Sequence, residues 1–84
     1  MTLEALKQAE QRTVGVKQTE KAVLKGIVEA VYIANDADER VTANLQRLCR
    51  EMEVPVIEDG NMMLLGRACG IKVKAAAAAI LLHQ

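Results

Sequence analysis

Apolar and polar positions along this 84-residue chain switch repeatedly between helical and extended spacing. The clearest helical pattern is Val41, Leu45, Leu48, Cys49 and Met52, with Arg40, Asn44, Arg47 and Glu51 elsewhere on the wheel. Just before it, Asn35-Asp36-Ala37-Asp38 is a turn whose side-chain oxygens can cap that helix. Pro55 ends the pattern, and residues 54–57 predict a strand. Val28 to Ala34 is almost continuously apolar and rich in branched residues, as a strand covered on both faces would be. Residues 2–10 predict a short amphipathic helix, and Thr13-Val14-Gly15-Val16 a short strand or extended lead-in. A helix over 17–25 follows, which Gly26 can end. Asp59-Gly60 turns the chain, Asn61 can cap a short helix over 62–68, and Gly70 closes that helix.

The stretch Ala75 to Leu82 sets two rules against each other. Alanine has the highest helix propensity, so propensity alone gives a helix. The alternation of strands and helices upstream instead implies helix–sheet–helix layering, where a central strand squeezed from both sides suits small residues. The second argument is favoured, and a strand is expected over roughly 75–81, with helix as the alternative.

Composition narrows the class. One domain spanning residues 1–84 is expected at this length. Tyr32 is the only aromatic, so the core must be aliphatic. The longest apolar run is too short to cross a bilayer, and the first residues lack the order of a secretory signal. Cys49 and Cys69 have no CxxC spacing, which fits buried thiols in a reducing cytoplasm.

Net charge is zero, but it is unevenly spread. Residues 29–59 carry −5, while residues 1–28 carry +2 and residues 60–84 carry +3. If the two ends meet, one face is basic and can orient the molecule toward a polyanion. Ordinary solvated charge is the plainer account of the pattern taken alone.

Two segments carry candidate chemistry. Gly15-Val16-Lys17-Gln18-Thr19-Glu20-Lys21 opens a helix whose first amides have no intrahelical partner and attract phosphate oxygens. Gln18 can donate and accept at a base edge, and Lys17 and Lys21 share a helix face, which Lys25 extends. Leu65-Gly66-Arg67-Ala68-Cys69-Gly70-Ile71-Lys72-Val73 ends a helix and presents a loop of alternating apolar and basic residues, continued by Lys74. Each segment by itself also fits a capped surface helix or an edge segment facing the core. Catalytic and metal constellations come out empty: His83 is the only histidine, and no acid, base and nucleophile converge. No enzyme activity, cofactor or metal is expected. If the chain binds RNA, the lack of aromatics argues against stacking on single strands and for reading a preformed shape with a few displaced bases.

These two segments occur in order with Val31-Tyr32-Ile33-Ala34-Asn35-Asp36-Ala37-Asp38, Val54-Pro55-Val56 and Ala75-Ala76-Ala77-Ala78-Ala79-Ile80. Together they resemble the kink-turn-binding ribosomal protein family, and its bacterial ribosomal-protein-like members most, from about residue 9 to residue 82. The resemblance implies a three-layer α/β/α sandwich around a four-stranded mixed sheet. It also implies binding to a kink-turn RNA, an RNA bend with sheared G·A pairs and an extruded base, with ribosomal RNA among the candidates. Gly15 and Val16 would approach the RNA backbone, Lys17, Gln18 and Lys21 the G·A guanines and nearby phosphates, and Arg67 a further phosphate. Ile71, Lys72 and Val73 would pack on the extruded nucleotide. Where the family commonly has an acid at position 72 and a small residue or proline at 74, this chain has two lysines, which favours phosphate. Met63 and Leu64 also depart from the family's lysine and glutamate, and can form an apolar patch for a protein partner. A monomer is expected; the alternative function is a protein–protein interaction module on the same fold.

Overall fold

The computed structural model describes residues 2–82. Helix α1 (Leu3–Gln8) is followed by strand β1 (Arg12–Val14), helix α2 (Val16–Leu24) and strand β2 (Val28–Ile33). The second half runs through α3 (Glu39–Glu51), β3 (Val56–Ile57), α4 (Met62–Ala68) and β4 (Ala77–Leu81). The alanine-rich stretch is therefore a strand, as the layering argument predicted.

The sheet has the order β1-β4-β2-β3, with β4 antiparallel to both β1 and β2, and β2 parallel to β3. Side chains alternate across it. Ala77 and Ala79 of β4 join Val31, Ile33, Ala22, Val23, Leu45 and Leu48 in a core beneath α2 and α3. Ala78 and Ile80 join Tyr32, Leu6, Leu65 and Ala68 in a second core beneath α1 and α4. Helices thus press on β4 from both faces, and Ala77, Ala78 and Ala79 are fully buried. Close packing at interior density leaves little room there for larger side chains. A register shift between Val28 and Ala30 lets Val28 face the same core as Val31.

Several boundaries differ from the sequence-based expectation, and β3 and β4 each start two residues later than expected. Gly15 and Val16 leave the strand: Gly15 is the N-cap of α2 and Val16 its first residue. The Gly15 backbone, at φ 95° and ψ 157°, cannot continue β1, and side-chain-bearing residues hardly reach this region. Helix α1 is shorter than residues 2–10, and Lys25 is the C-cap of α2 rather than a further turn of its lysine face. His83 lies outside the described residues.

Candidate nucleic-acid interface

The start of α2 differs from those of the two helices that follow it. Asp38 caps α3 by accepting from the Arg40 amide, and Asn61 caps α4 by accepting from the Leu64 amide. Gly15 has no side chain to offer, no side chain among the described residues caps α2, and its first turn holds no acid. The first backbone bond of the helix runs from the Thr19 amide to the Gly15 carbonyl, 3.1 Å. The amides of Val16, Lys17 and Gln18 therefore remain as donors at the positive end of a helix dipole. A Cβ on Gly15 would meet nothing within 4 Å, so the space above the cap is open.

The rest of α2 is anchored. Thr19 is fully buried and its hydroxyl pairs with that of Thr13 at 2.7 Å, fixing the helix to β1. Ala22 and Val23 bury on the same side, and half-buried Val16 packs on that core. Lys17, Gln18 and Lys21 are all exposed. Gln18 has a fixed orientation, because its Oε1 accepts from the Val14 amide at 2.8 Å. That bond uses the edge amide at the end of β1 and leaves the Nε2 hydrogens to donate outward.

The second segment forms the turn and loop between α4 and β4. Arg67 is exposed on the last turn of α4. Gly70, at φ 74°, ends the helix, with its amide donating to Arg67 and the Ile71 amide to Gly66. Gly66 has another reason to lack a side chain: a Cβ there would lie 2.1 Å from the Val73 carbonyl oxygen. The loop folds back directly onto the helix. Met63, Arg67, Ile71, Lys72, Val73 and Lys74 line a hollow of about 480 Å³ there. Val73 is 69% exposed, whereas Ile71 is half-buried and packs on the α1/α4 core.

The two segments meet at one end of the sheet. The Gly15 amide donates to the Ala77 carbonyl at 2.8 Å, and Ala77 is where the loop becomes β4. Val73 precedes Ala77 by four residues, so the two Cα atoms lie within roughly 14 Å of each other. The start of α2 at Gly15 therefore lies at the end of the sheet where the loop of Ile71, Lys72 and Val73 enters β4, and Arg67 stands on the helix that precedes that loop. Lys21 lies one turn further along α2. A second hollow, about 420 Å³, lies at the opposite end of the sheet and is lined by Glu10, Glu29, Gln8 and Leu82 among others. Its two carboxylates repel a polyanion, whereas the first hollow offers Arg67, Lys72 and Lys74.

Among the described residues, no cluster of three or more His, Cys, Asp or Glu could hold a metal ion. Both thiols are buried, and burial pushes Cys49 and Cys69 above the ordinary thiol range, against the nucleophilic thiolate. The Arg12 guanidinium opposes this in part at Cys69. Among the described residues, no helix is long and apolar enough to cross a membrane.

Fold and site together define a small mixed α/β domain with a donor-rich helix start beside a basic loop. The chain belongs to the Ribosomal protein L7Ae/L30e/S12e/Gadd45 family, whose pattern it matches over residues 1–83. It is 40% identical to an RNA-binding protein of Bacillus pumilus over 82 residues, covering 98% of this chain and 100% of that protein. It is 48% identical to an RNA-binding protein of Caldanaerobacter subterraneus subsp. tengcongensis over 68 residues, covering 81% of this chain and 83% of that one. Among solved structures, the Giardia lamblia 15.5kD RNA binding protein superposes with a TM-score of 0.86 at 33% identity, over 98% of this chain and 72% of that one.

Two features of the site have no signal in the sequence. The bond between Gln18 and the Val14 amide joins residues four apart, yet neither residue type marks it. Arg12 belongs to no motif, although its guanidinium reaches the carbonyl of Cys69 at the base of the loop.

Proposed function

We propose that this chain, as a single domain and without catalysing a reaction, binds structured RNA bent into a kink-turn. The role would lie in the cytoplasm, in ribosome association or RNA folding. The observation that carries this reading is the 2.8 Å bond from the Gly15 amide to the Ala77 carbonyl. It holds the uncapped start of α2 beside the basic loop, so a single bent strand can touch both. The backbone at Gly15 and Val16 meets the RNA backbone through free amides. Lys17, Gln18 and Lys21 address guanine edges and neighbouring phosphates. Arg67 adds a phosphate contact, and Ile71, Lys72 and Val73 receive the extruded nucleotide. The names of the relatives, RNA-binding proteins, support the class of ligand.

Exposed Met63 and Leu64 favour a protein-binding reading less, because Met63 lines the same hollow as Val73. The test is affinity for a kink-turn RNA against a control with its G·A pairs disrupted, at two salt concentrations. The intact kink-turn is expected to bind more tightly at both, by about 1–3 kcal/mol for each base-edge interaction that the control cannot make. Equal affinities would refute the reading.

A further inference from the structure

Arg12 stands on edge strand β1, paired with Ile80, and is half-buried. Its guanidinium donates to three backbone carbonyls: Ala9 at 3.1 Å, Lys7 at 3.4 Å and Cys69 at 3.1 Å. No carboxylate among the described residues pairs with it. Ala9 is the C-cap of α1 and Cys69 the C-cap of α4. The cation therefore sits where two helices present their unpartnered carbonyls and the negative ends of their dipoles. The planar fork suits this, since a lysine ammonium could not span three acceptors in fixed directions. The same Nη2 lies 3.7 Å from where a Cβ on Gly70 would stand, so the guanidinium also packs against the first residue of the loop.

We propose that Arg12 is a positioning residue for RNA binding. It touches no RNA itself, but it fixes the direction in which the chain leaves α4 and so the placement of Ile71, Lys72 and Val73. Gly66 supports that loop at Val73, the Ala75 amide ties its far end to the Met62 carbonyl, Ile71 packs on the α1/α4 core, and Arg12 holds its origin at Cys69. Without the Arg12 bond the point where the loop leaves α4 loses its fixed partner, the loop is less ordered before binding, and affinity falls as preorganisation falls. The inference rests on the RNA-binding reading above.

The test compares Arg12→Lys and Arg12→Met with the parent, well below the melting temperature of each. Both variants should bind a kink-turn RNA about tenfold more weakly, the size of one charge-assisted hydrogen bond. The slope of log affinity against log salt should not change, because every phosphate interaction is kept. Hydrogen exchange in the free protein should accelerate at the amides of residues 70–74 relative to the sheet. Tyr32→Phe is the control: it removes the bond from the Tyr32 hydroxyl to the Thr2 carbonyl and should lower stability without altering RNA affinity. Unchanged affinity in the Arg12 variants would overturn the proposal. A slope smaller by about one would also overturn it, by showing direct phosphate contact. If the parent itself fails to bind the RNA, the functional reading fails. The exchange measurement then still decides whether Arg12 orders the loop, and unchanged exchange at 70–74 refutes it.

Discussion

The Val73 carbonyl oxygen occupies the place where Gly66 would carry a side chain, 2.1 Å from an ideal Cβ. Helix α4 and the basic loop are thus in backbone contact, and the loop's position depends on a missing methyl group. Gly66→Ala sets two effects against each other. Alanine gains up to about 1 kcal/mol of helix propensity. The overlap is with backbone, which cannot rotate away, and overpacking of this kind costs about 1–3 kcal/mol. The overlap should win. Net destabilisation in urea unfolding, together with weaker RNA binding, is expected; a more stable variant with parental affinity would contradict the packing argument.

Gln18→Ala combined with Lys21→Ala removes two exposed side chains from α2 while leaving buried Thr19, Ala22 and Val23 in place. Kink-turn affinity should fall by about 1–3 kcal/mol for each base-edge interaction removed. The far-ultraviolet circular dichroism should stay that of the parent. A gel-shift titration giving equal affinities would count against the assigned roles.

Lys74 is exposed at the hollow and lies beyond the residues assigned to the extruded base. Its replacement by alanine should weaken binding to kink-turn and control RNA alike. It should also reduce the salt dependence by about one counterion. A weakening confined to the kink-turn would instead give Lys74 a part in base recognition.

Glu53 is the one described non-glycine residue in the left-handed region, at φ 57°. It closes α3 with the same pair of bonds that Gly26 and Gly70 make after α2 and α4: its amide donates to Arg50, and the Val54 amide to Cys49. A side chain costs about 1–2 kcal/mol in this conformation, part of which glycine's greater freedom in the unfolded chain offsets. Glu53→Gly should therefore stabilise the protein by about 0.5–1 kcal/mol. Thermal unfolding checks this, and a lower melting temperature would contradict it. The site lies elsewhere, so RNA affinity should not change.

Local chemistry makes much of this molecule legible from its residues. The caps Asp38 and Asn61, the glycines at 26 and 70 and the spacing of Val41, Leu45, Leu48 and Cys49 act within a few residues, so they place the helices nearly where they are. Even the alanine strand is readable, because the alternation around it requires a strand narrow enough for helices on both faces. The contacts that shape the candidate site span longer distances. Arg12 meets Cys69 across 57 positions, and Gly15 meets Ala77 across 62. Gly66 is a mid-helix glycine with no turn to explain it until Val73 folds onto it. The sequence leaves Ile71 open between a loop residue that meets a base and one that faces the core, and the α1/α4 core takes it in. Sequence alone determined which elements form, since propensity, capping and periodicity are local. The tertiary structure decided which backbone atoms touch, because packing brings together segments that carry no record of one another.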